Sequence, residues 1–245
     1  MTDFNLRFSQ LDTDRFGIIT AKVDGVTTDK LDEIDAFCEE NDVTFLIART
    51  RATQLDVVQA MESYNYHLMD TLLYYAFKHD RKPIPAFETE FDVRPTTHED
   101  VDVVRDIAEI SFTNYIGHYH ADPKLDTATC DEVYIDWAVR SVLTDNPATH
   151  AMVAHKSGEI AGFVVVHMNN PEEGDVWLSG ILPEQRGQGL HQLLMIESMK
   201  WSLAQGAKRT VVSTQVTNIP VQKAWTRIGF EIDHAFYTLH KWYDK

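Results

Sequence analysis

The chain has 245 residues, of which 44% are hydrophobic and 24% charged, and 22 Lys and Arg against 38 Asp and Glu give a formal net charge of −16. This composition excludes disorder and fibrous repeats, and the negative charge excludes a general nucleic-acid binder, because such proteins neutralise phosphates with Lys and Arg. The N-terminal segment lacks the pattern of a secretory signal, and no stretch reaches the roughly 18 apolar residues of a membrane span. We therefore expect a cytoplasmic protein that does not bind membranes.

The first third of the chain contains a strand–helix–strand pattern that recurs near the C-terminus. The first copy begins with a strand at Thr44–Ala48, and its segment Val57–Tyr75 aligns with Val221–Leu239. Asn65 then falls on Gly229, and these residue types best tolerate the left-handed conformation at a helix end. The match predicts two βαβ units, and both a true duplication and a coincidence of similar units remain open.

A linker is predicted between Lys78 and Phe91, where charged residues surround Pro83 and Pro85. Proline lacks an amide donor and biases the preceding residue to extended geometry. We therefore divide the chain into an N-terminal α/β domain, residues 1–85, and a C-terminal domain, residues 86–245.

Helices alternate with strands beyond the linker, which indicates an α/β (α+β) fold with a mixed central sheet flanked by helices. In chain order the predicted elements are a strand ending at Pro95, a helix from Thr97 through Phe112, a loop at Asn114–Lys124, a helix at Thr129–Leu143, strands at Ala151–Ala154, Ile160–Met168 and Asp175–Leu182, a helix at His191–Gln205, a strand at Thr210–Gln215, a helix at Asn218–Ile228 ended by Gly229, and a strand over Phe230–Trp242.

The segment from Leu182 to Leu190, L-P-E-Q-R-G-Q-G-L, leads from a predicted strand directly into the helix at His191. Glycines allow positive φ, and a helix start presents unpaired N–H groups and partial positive charge, an arrangement that suits a pyrophosphate. The loop fits neither the Rossmann fingerprint nor the phosphate loop of nucleotide triphosphatases. A tight strand-to-helix turn with no ligand is the alternative reading.

This loop resembles the acyl-CoA pyrophosphate loop of the GNAT superfamily of N-acyltransferases, whose pattern is [Q/R]-x-x-G-x-[G/A]. The order of elements from about residue 91 to 245 is also similar to that family, whereas His191 departs from the expected small residue. The resemblance is strongest to dTDP-fucosamine acetyltransferases and related enzymes of lipopolysaccharide biosynthesis. It rests on Asp12–Gly17, on Ser213–Gln215 and on the long loop Tyr115–Pro123.

The resemblance implies that an acyl-CoA, with an acetyl or a 3-hydroxybutanoyl group, is the co-substrate, and that no metal takes part. The side chains and backbone groups it places against acyl-CoA are Gly180, Ile181, Leu182, Arg186, Gly187, Gln188, Gly189, Leu190, His191, Asn218 and Lys223. For Asn218 a helix-capping role is an equal alternative, since Asn is among the best N-caps.

The acceptor implied by the resemblance is the amino group of a dTDP-linked amino-dideoxy sugar. The residues it places against this acceptor are Asp14, Arg15, Phe16, Tyr115, His118 and Tyr119. It leaves a homodimer open. Two other functions also stay open: acetylation of a protein N-terminus or small cationic amine, which the net charge favours, and CoA binding without catalysis.

The proton donor is the point at which the sequence departs from the family. In the pattern N-x-x-A-x-x-x-Y, which begins at Asn218, Trp225 occupies the position of the tyrosine that acts as general acid. An indole does not protonate a thiolate. Tyr237, Tyr119 and His120 are the candidate catalytic residues, His118 and His120 being suited to base catalysis by the pKa of histidine. The alternative is that the thiolate leaves unassisted.

Overall fold

A computed structural model describes residues 4–113 and 115–243; Asn114 of the predicted loop and the outermost residues of both predicted domains lie outside the described residues. The strands are β1 Asn5–Phe8, β2 Thr20–Asp24, β3 Phe45–Arg51, β4 His67–Lys78, β5 Asp92–Pro95, β6 Thr149–Lys156, β7 Glu159–Asn170, β8 Glu173–Ile181, β9 Arg209–Gln215 and β10 Glu231–Trp242. The helices are α1 Gln10–Phe16, α2 Leu31–Glu40, α3 Leu55–Ser63, α4 Val101–Phe112, α5 Thr127–Leu143, α6 Leu190–Ala204 and α7 Ile219–Ile228.

Local signals explain where several helices begin and end. Thr97 and Asp100 form a capping box ahead of α4. The Asp100 carboxylate accepts the backbone N–H of Thr97, and the backbone N–H of Asp100 donates to Thr97. Gly17 ends α1 with φ +67°, and Gly229 ends α7 with φ +108°. Because a side chain is strained at such φ values, glycine ends each of these helices, and at Gly229 the helix ends where the sequence predicts.

The described chain divides into two compact units whose limits differ from the predicted boundary after Pro85. The first unit comprises residues 4–73, 116–129 and 234–243, and the second comprises residues 74–113, 115 and 130–233. The first unit therefore includes a loop and a strand that are distant in sequence, and Pro83 and Pro85 lie inside the second. A single cut in the chain does not separate the two units.

The first unit is built on a mixed sheet in the order β1-β2-β3-β10. β1 pairs antiparallel with β2, β2 pairs parallel with β3, and β10 pairs antiparallel with β3 from Phe236↔Arg51 to Trp242↔Phe45. Apolar side chains from these strands and from α2 and α3 form one buried core. Its fully buried members include Ile34, Leu46, Met61 and Leu239.

The second unit contains a sheet in the order β4-β9-β8-β7-β6-β5, in which β4 contributes its last residues, Tyr74–Lys78. Strands β5 to β8 form an antiparallel meander, and β8 pairs parallel with β9. Glycines allow helices to pack closely on this sheet: a Cβ on Gly174 would lie 2.1 Å from Ser202 Oγ on α6, and one on Gly180 would lie 3.1 Å from Ile107 on α4.

The strand–helix–strand pattern recurs with an offset of 164 residues (209 − 45). Strands β3 and β4 reappear at this offset as β9 and β10 with identical bounds, and α3 reappears as α7, which is one residue longer. Asn65, with φ +62°, corresponds to Gly229. In each unit, however, the strand next to the first strand of the pattern comes from the other copy: β10 lies beside β3, and β4 lies beside β9.

Candidate active site

Strands β8 and β9 are paired over only part of their length. The parallel ladder runs from Glu173↔Arg209 to Val176↔Val212, although β8 continues to Ile181 and β9 to Gln215. A bulge in the β7–β8 ladder, where Leu178 pairs with Val165 and Val176 with Val166, lies at the point where the pairing with β9 stops. The edge of β8 from Trp177 to Ile181 that faces away from β7 is therefore free of strand partners within the described part of the chain. We call it the open edge of β8.

The loop after β8 forms a cradle of backbone donors. A 3₁₀ turn, Pro183–Gln185, precedes Gly187 and Gly189, whose φ values are +79° and +81°. Within residues 4–113 and 115–243, the backbone N–H groups of Gly187, Gln188 and Gly189 donate to no acceptor. Together with the start of α6 at Leu190, they form an arrangement that suits an anion.

Two side chains with basic nitrogens flank this cradle. Arg186 ends the 3₁₀ turn, is exposed, and forms no ion pair with a described carboxylate. His191, in the first turn of α6, has a buried Nδ1 that lacks a hydrogen-bond partner among the described groups. Burial lowers the pKa of His191 to about 4, so the ring is neutral at physiological pH. The residue that departs from the family pattern thus offers an unused ring nitrogen beside the cradle.

Gly180, Ile181 and Leu182, which the resemblance places against acyl-CoA, have different surroundings from one another. Gly180 has no room for a side chain, since a Cβ would lie 2.5 Å from Phe163 Cε1. Leu182 donates its N–H to Ala161 O at 3.0 Å, on the β7 side. Ile181 donates its N–H to Ser111 Oγ on α4 at 3.2 Å. Sequence reasoning missed Ser111, which no motif marks.

Asn218 stands at the N-cap position of α7, but its side chain does not cap the helix. Its Nδ2 instead donates to Thr214 Oγ1 at 3.0 Å, which leaves the amide oxygen as an acceptor. Lys223 lies on the exposed face of α7. The capping alternative for Asn218 is therefore wrong for the side chain, although the residue does mark the start of the helix.

Trp225, at the position of the family's tyrosine, is buried on α7 and packs edge-on against Tyr75, with ring centroids 5.5 Å apart. Its Nε1 is buried without a partner among the described groups. Tyr75, which sequence reasoning did not identify, donates its hydroxyl to Gln222 Oε1 at 3.2 Å. A phenol from β4 thus lies next to the tryptophan that replaces the expected acid.

Tyr115 also lies in the second unit, near the end of β9. Its hydroxyl donates to Gln215 Oε1 through a short hydrogen bond, and its ring packs against Phe112 and Tyr134. Gln222 donates to the backbone oxygens of Gln215 and Val216. Two tyrosine hydroxyls therefore reach the segment that joins β9 to α7, Tyr115 through Gln215 and Tyr75 through Gln222.

In the first unit, Tyr119 is tied to a buried acidic residue. The Tyr119 hydroxyl donates to Asp12 Oδ1 at 2.9 Å, and Lys22 Nζ forms an ion pair with Asp12 Oδ2 at 2.5 Å. Burial raises the pKa of Asp12, but the nearby Lys22 charge and the hydrogen bonds outweigh it, so the pKa is lowered overall. Asp12 is thus an ionised acceptor that holds the Tyr119 hydroxyl in place.

His118 belongs to a buried chain of hydrogen bonds that ends at a carboxylate. His118 Nδ1 lies 2.9 Å from His240 Nε2, and His240 Nδ1 lies 2.8 Å from Asp122 Oδ2, which also accepts from the Trp242 indole at 2.9 Å. Because an ionised carboxylate only accepts, the Nδ1 of each histidine carries the proton. Burial, reinforced by the neighbouring positive charges, lowers the pKa of His118 well below its ordinary value.

The other catalytic candidates occupy distinct environments in the first unit. His120 is half-buried, and the Gly117 N–H donates to its Nδ1 at 3.4 Å. Tyr237 pairs across the sheet with Thr50 and packs against the core of the unit. Both side chains are half-buried.

Arg15 and Phe16 line a cavity of about 260 Å³ in the first unit. Lys124 and Trp242 line it as well, and the Lys124 ammonium lies 5.1 Å from the centre of the Trp242 ring. The Arg15 Nη1 atom also lies 3.7 Å from Asp12 Oδ1. Asp14, by contrast, is exposed and accepts a hydrogen bond from Gln10 at 2.6 Å. The cavity combines two cationic side chains and two aromatic rings with the carboxylate of Asp126.

Two further properties concern the described residues as a whole. None of the helices is both long enough and apolar enough to pass through a lipid bilayer. In the same ranges no group of three or more His, Cys, Asp or Glu side chains is arranged to hold a metal ion.

Comparison with known proteins identifies a family model and several relatives that match part of the chain. The model of the acetyltransferase (GNAT) family matches residues 104–230. The spore coat polysaccharide biosynthesis protein SpsD of Bacillus subtilis is 23% identical over 62% of this chain and 51% of its own length. A putative ribosomal protein bS18 alanine N-acetyltransferase of the same organism is 26% identical over 59% of this chain and 83% of its own.

A third relative, the mycothiol acetyltransferase of Arthrobacter sp. (strain FB24), is 30% identical over 35% of this chain and 28% of its own length. The chain thus spans about half of SpsD and less than a third of the mycothiol acetyltransferase.

Solved structures share the fold over nearly the whole chain. A GCN5-related N-acetyltransferase from Kribbella flavida has a TM-score of 0.68 at 15% identity, with 98% of this chain and 88% of that one covered. One from Sphaerobacter thermophilus has a TM-score of 0.67 at 15% identity, with 97% and 76% covered. The predicted fold, a mixed sheet flanked by helices, is confirmed. With the family model matching more than half of its residues, the chain belongs to the GNAT acetyltransferase family.

Proposed function

We propose that this protein is an acyl-CoA-dependent N-acyltransferase that acts on the amino group of a nucleotide-linked amino sugar. The observation that carries the proposal is the cradle at Gly187, Gln188 and Gly189, whose free N–H groups lie at the start of α6 and directly after the open edge of β8. The cradle suits the pyrophosphate of CoA, and the open edge suits the amides of its pantetheine arm.

In the proposed reaction the acceptor amine attacks the thioester carbonyl carbon. A C–N bond forms, the C–S bond breaks with its electron pair going to sulfur, and the amine loses one proton. Backbone donors positioned at the developing oxyanion would lower the barrier. Arg186 and the backbone N–H of His191, in the first turn of α6, would contact the phosphates, and Asn218 and Lys223 would contact the pantetheine arm.

Few side chains are available for the proton transfers of the proposed reaction. Tyr119 is engaged with Asp12, and Tyr237 packs on the core of the first unit. We therefore keep His120 as the proposed base, since imidazole is the side chain suited to base catalysis near neutral pH. The CoA thiolate leaves without a general acid, which its thiol acidity permits near neutral pH.

The acceptor is proposed from the first unit. The cavity lined by Arg15, Phe16, Lys124 and Trp242 pairs cations for a diphosphate with rings for a base. The name of SpsD, a polysaccharide biosynthesis protein, supports a sugar acceptor. A dTDP-linked amino-dideoxy sugar, with an acetyl or 3-hydroxybutanoyl donor, is the form that we propose.

A cationic amine or a protein N-terminus is the second candidate acceptor. The net charge of −16 attracts cations, and one relative is named a putative alanine N-acetyltransferase. This acceptor would not need the paired cations of Arg15 and Lys124, so variants of these residues separate the two candidates.

The test supplies purified protein with acetyl-CoA or 3-hydroxybutanoyl-CoA, together with dTDP-amino sugars, small amines or a peptide with N-terminal alanine. Free thiol and CoA affinity are measured in parallel. We expect thiol release that requires both the acyl-CoA and the dTDP-amino sugar and that falls in Arg15→Gln. Release with cationic amines alone would establish the second candidate. CoA binding without turnover on any amine would indicate a noncatalytic protein, and no CoA binding would overturn the proposal.

A further inference from the structure

Ser111 lies at the end of α4, against the open edge of β8. Its Oγ accepts the N–H of Ile181 at 3.2 Å. The absence of a side chain at Gly180 makes this approach possible, because a Cβ there would lie 2.8 Å from Ser111 Oγ. A side-chain hydroxyl therefore reaches the backbone of a strand that is otherwise unpaired on that side.

The direction of the Ile181 N–H follows from the pairing of β8. Leu182 donates its N–H to Ala161 O on β7. Successive N–H groups of a strand point to opposite sides, so the Ile181 N–H points away from β7, toward the side where the ladder with β9 has already stopped at Val176. Ser111 takes the place of the missing strand partner.

The orientation of Ser111 differs from that of other helical serines in this unit. Ser141, Ser198 and Ser202 each donate to the backbone oxygen four residues earlier in their own helix, at 2.8 Å. The recorded bond of Ser111 instead uses its oxygen as an acceptor for another element. The usual alternative, donation to the carbonyl of Ile107, remains available to it.

We infer that Ser111 is an internal competitor for acyl-CoA, which occupies in the free protein the hydrogen-bond site that an amide carbonyl of the pantetheine arm takes up on binding. The inference rests on the proposed function. When the ligand carbonyl accepts the Ile181 N–H, the Ser111 hydroxyl turns to the carbonyl of its own helix. Ser111 thus weakens CoA binding and keeps the open edge satisfied in the empty protein.

The test compares Ser111→Ala with Ser141→Ala, which removes a buried hydroxyl that bonds only within α5. We expect Ser111→Ala to bind CoA more tightly, by roughly threefold to tenfold, since a competing hydrogen bond of ordinary net strength is removed. Ser141→Ala should keep the wild-type Kd measured by titration calorimetry. Unchanged or weaker CoA binding by Ser111→Ala would overturn the inference.

Hydrogen exchange tests the same bond without any ligand. The Ile181 amide should exchange faster in free Ser111→Ala than in the free wild type, and equally slowly in both when CoA is bound. Equal exchange in the two free proteins would overturn the inference while leaving the proposed function intact. A wild-type protein that binds no CoA would overturn the proposed function, and the inference with it.

Discussion

Asn169 Nδ2 donates a hydrogen bond to Asp175 Oδ2 at 3.2 Å, beside the ring of Trp177. Despite this bond, burial raises the pKa of Asp175 to about 7, and the charge of Glu173 adds to the effect. The ionised form is therefore costly in the folded protein, as burial of a carboxylate without a cation implies.

Asp175→Asn should stabilise the protein at alkaline pH. The carboxyl of the unfolded chain has a pKa of about 3.9. The free energy of unfolding of the wild type therefore falls as pH rises from about 4 to 7, and the total loss is a few kcal/mol at higher pH. The free energy of unfolding, measured in urea at pH 4, 6 and 8, should favour the variant at pH 8 and not at pH 4. Glu159→Gln, an exposed change at the start of β7, is the control. An equal effect of Asp175→Asn at all three values would contradict the assignment.

For His118 we expect a pH dependence of stability with the opposite sign. Its pKa is lowered by burial, so the unfolded state binds a proton below about pH 6.5 that the folded state does not. Stability is therefore lost as pH falls from 6.5, at up to about 1.4 kcal/mol per pH unit for one proton. His118→Asn should reduce the drop in Tm between pH 7 and pH 5, whatever its effect at pH 7. His120→Asn, at the half-buried neighbour, should change the drop less; an unchanged drop in His118→Asn would refute the prediction.

The two loop glycines provide a matched pair. Both have positive φ, but a Cβ on Gly187 would meet no atom within 4 Å, whereas one on Gly189 would lie 2.5 Å from Phe87 Cζ. Gly187→Ala adds only backbone strain of about 1 to 2 kcal/mol, while Gly189→Ala adds a clash with a packed ring. We expect Gly189→Ala to lose at least tenfold more CoA affinity than Gly187→Ala, by calorimetry. Equal losses would show that contact with Phe87 is unimportant.

The limits of the first unit predict how fragments behave. A fragment of residues 1–85 lacks β10, which pairs with β3, and lacks Tyr119, which satisfies the buried Asp12. We expect this fragment to show no cooperative unfolding in urea by circular dichroism, because β3 lacks its partner strand and the buried Asp12 carboxylate loses one of its hydrogen-bond donors. Mixing it with a fragment of residues 86–245 should restore a cooperative transition. A cooperative transition of 1–85 alone would contradict this.

Most local structure was predictable because local signals specify it. Helix α7 ends at Gly229 as expected, and the helix predicted at His191–Gln205 is observed at Leu190–Ala204. The strand predicted at Thr210–Gln215 is one residue longer, at Arg209–Gln215. Hydrophobic periodicity and glycine stop signals act within a few residues and are visible in one sequence.

The parts of the fold and of the site that the sequence did not predict depend on contacts between residues distant in sequence. The segment 116–129 and β10 join the first unit through pairs such as Asp122 with His240, 118 residues apart (240 − 122), which no periodicity encodes. The role of Ser111 arises from an unpaired strand edge, and a lone serine in a helix gives no signal. The glycine loop after β8, by contrast, gives a local signal, because Gly187 and Gly189 stand close together directly before a predicted helix.

The place of β10 in the first unit has a consequence for synthesis. The strand that completes the sheet beside β3 comes from residues 234–243, far along the chain. At about 5 to 20 residues per second, a ribosome needs roughly ten to forty seconds to make the chain from the end of β3 to the end of β10. During this interval the edge of β3 lacks its partner, so the nascent chain exposes a strand that can pair wrongly and would benefit from a chaperone until β10 has been made.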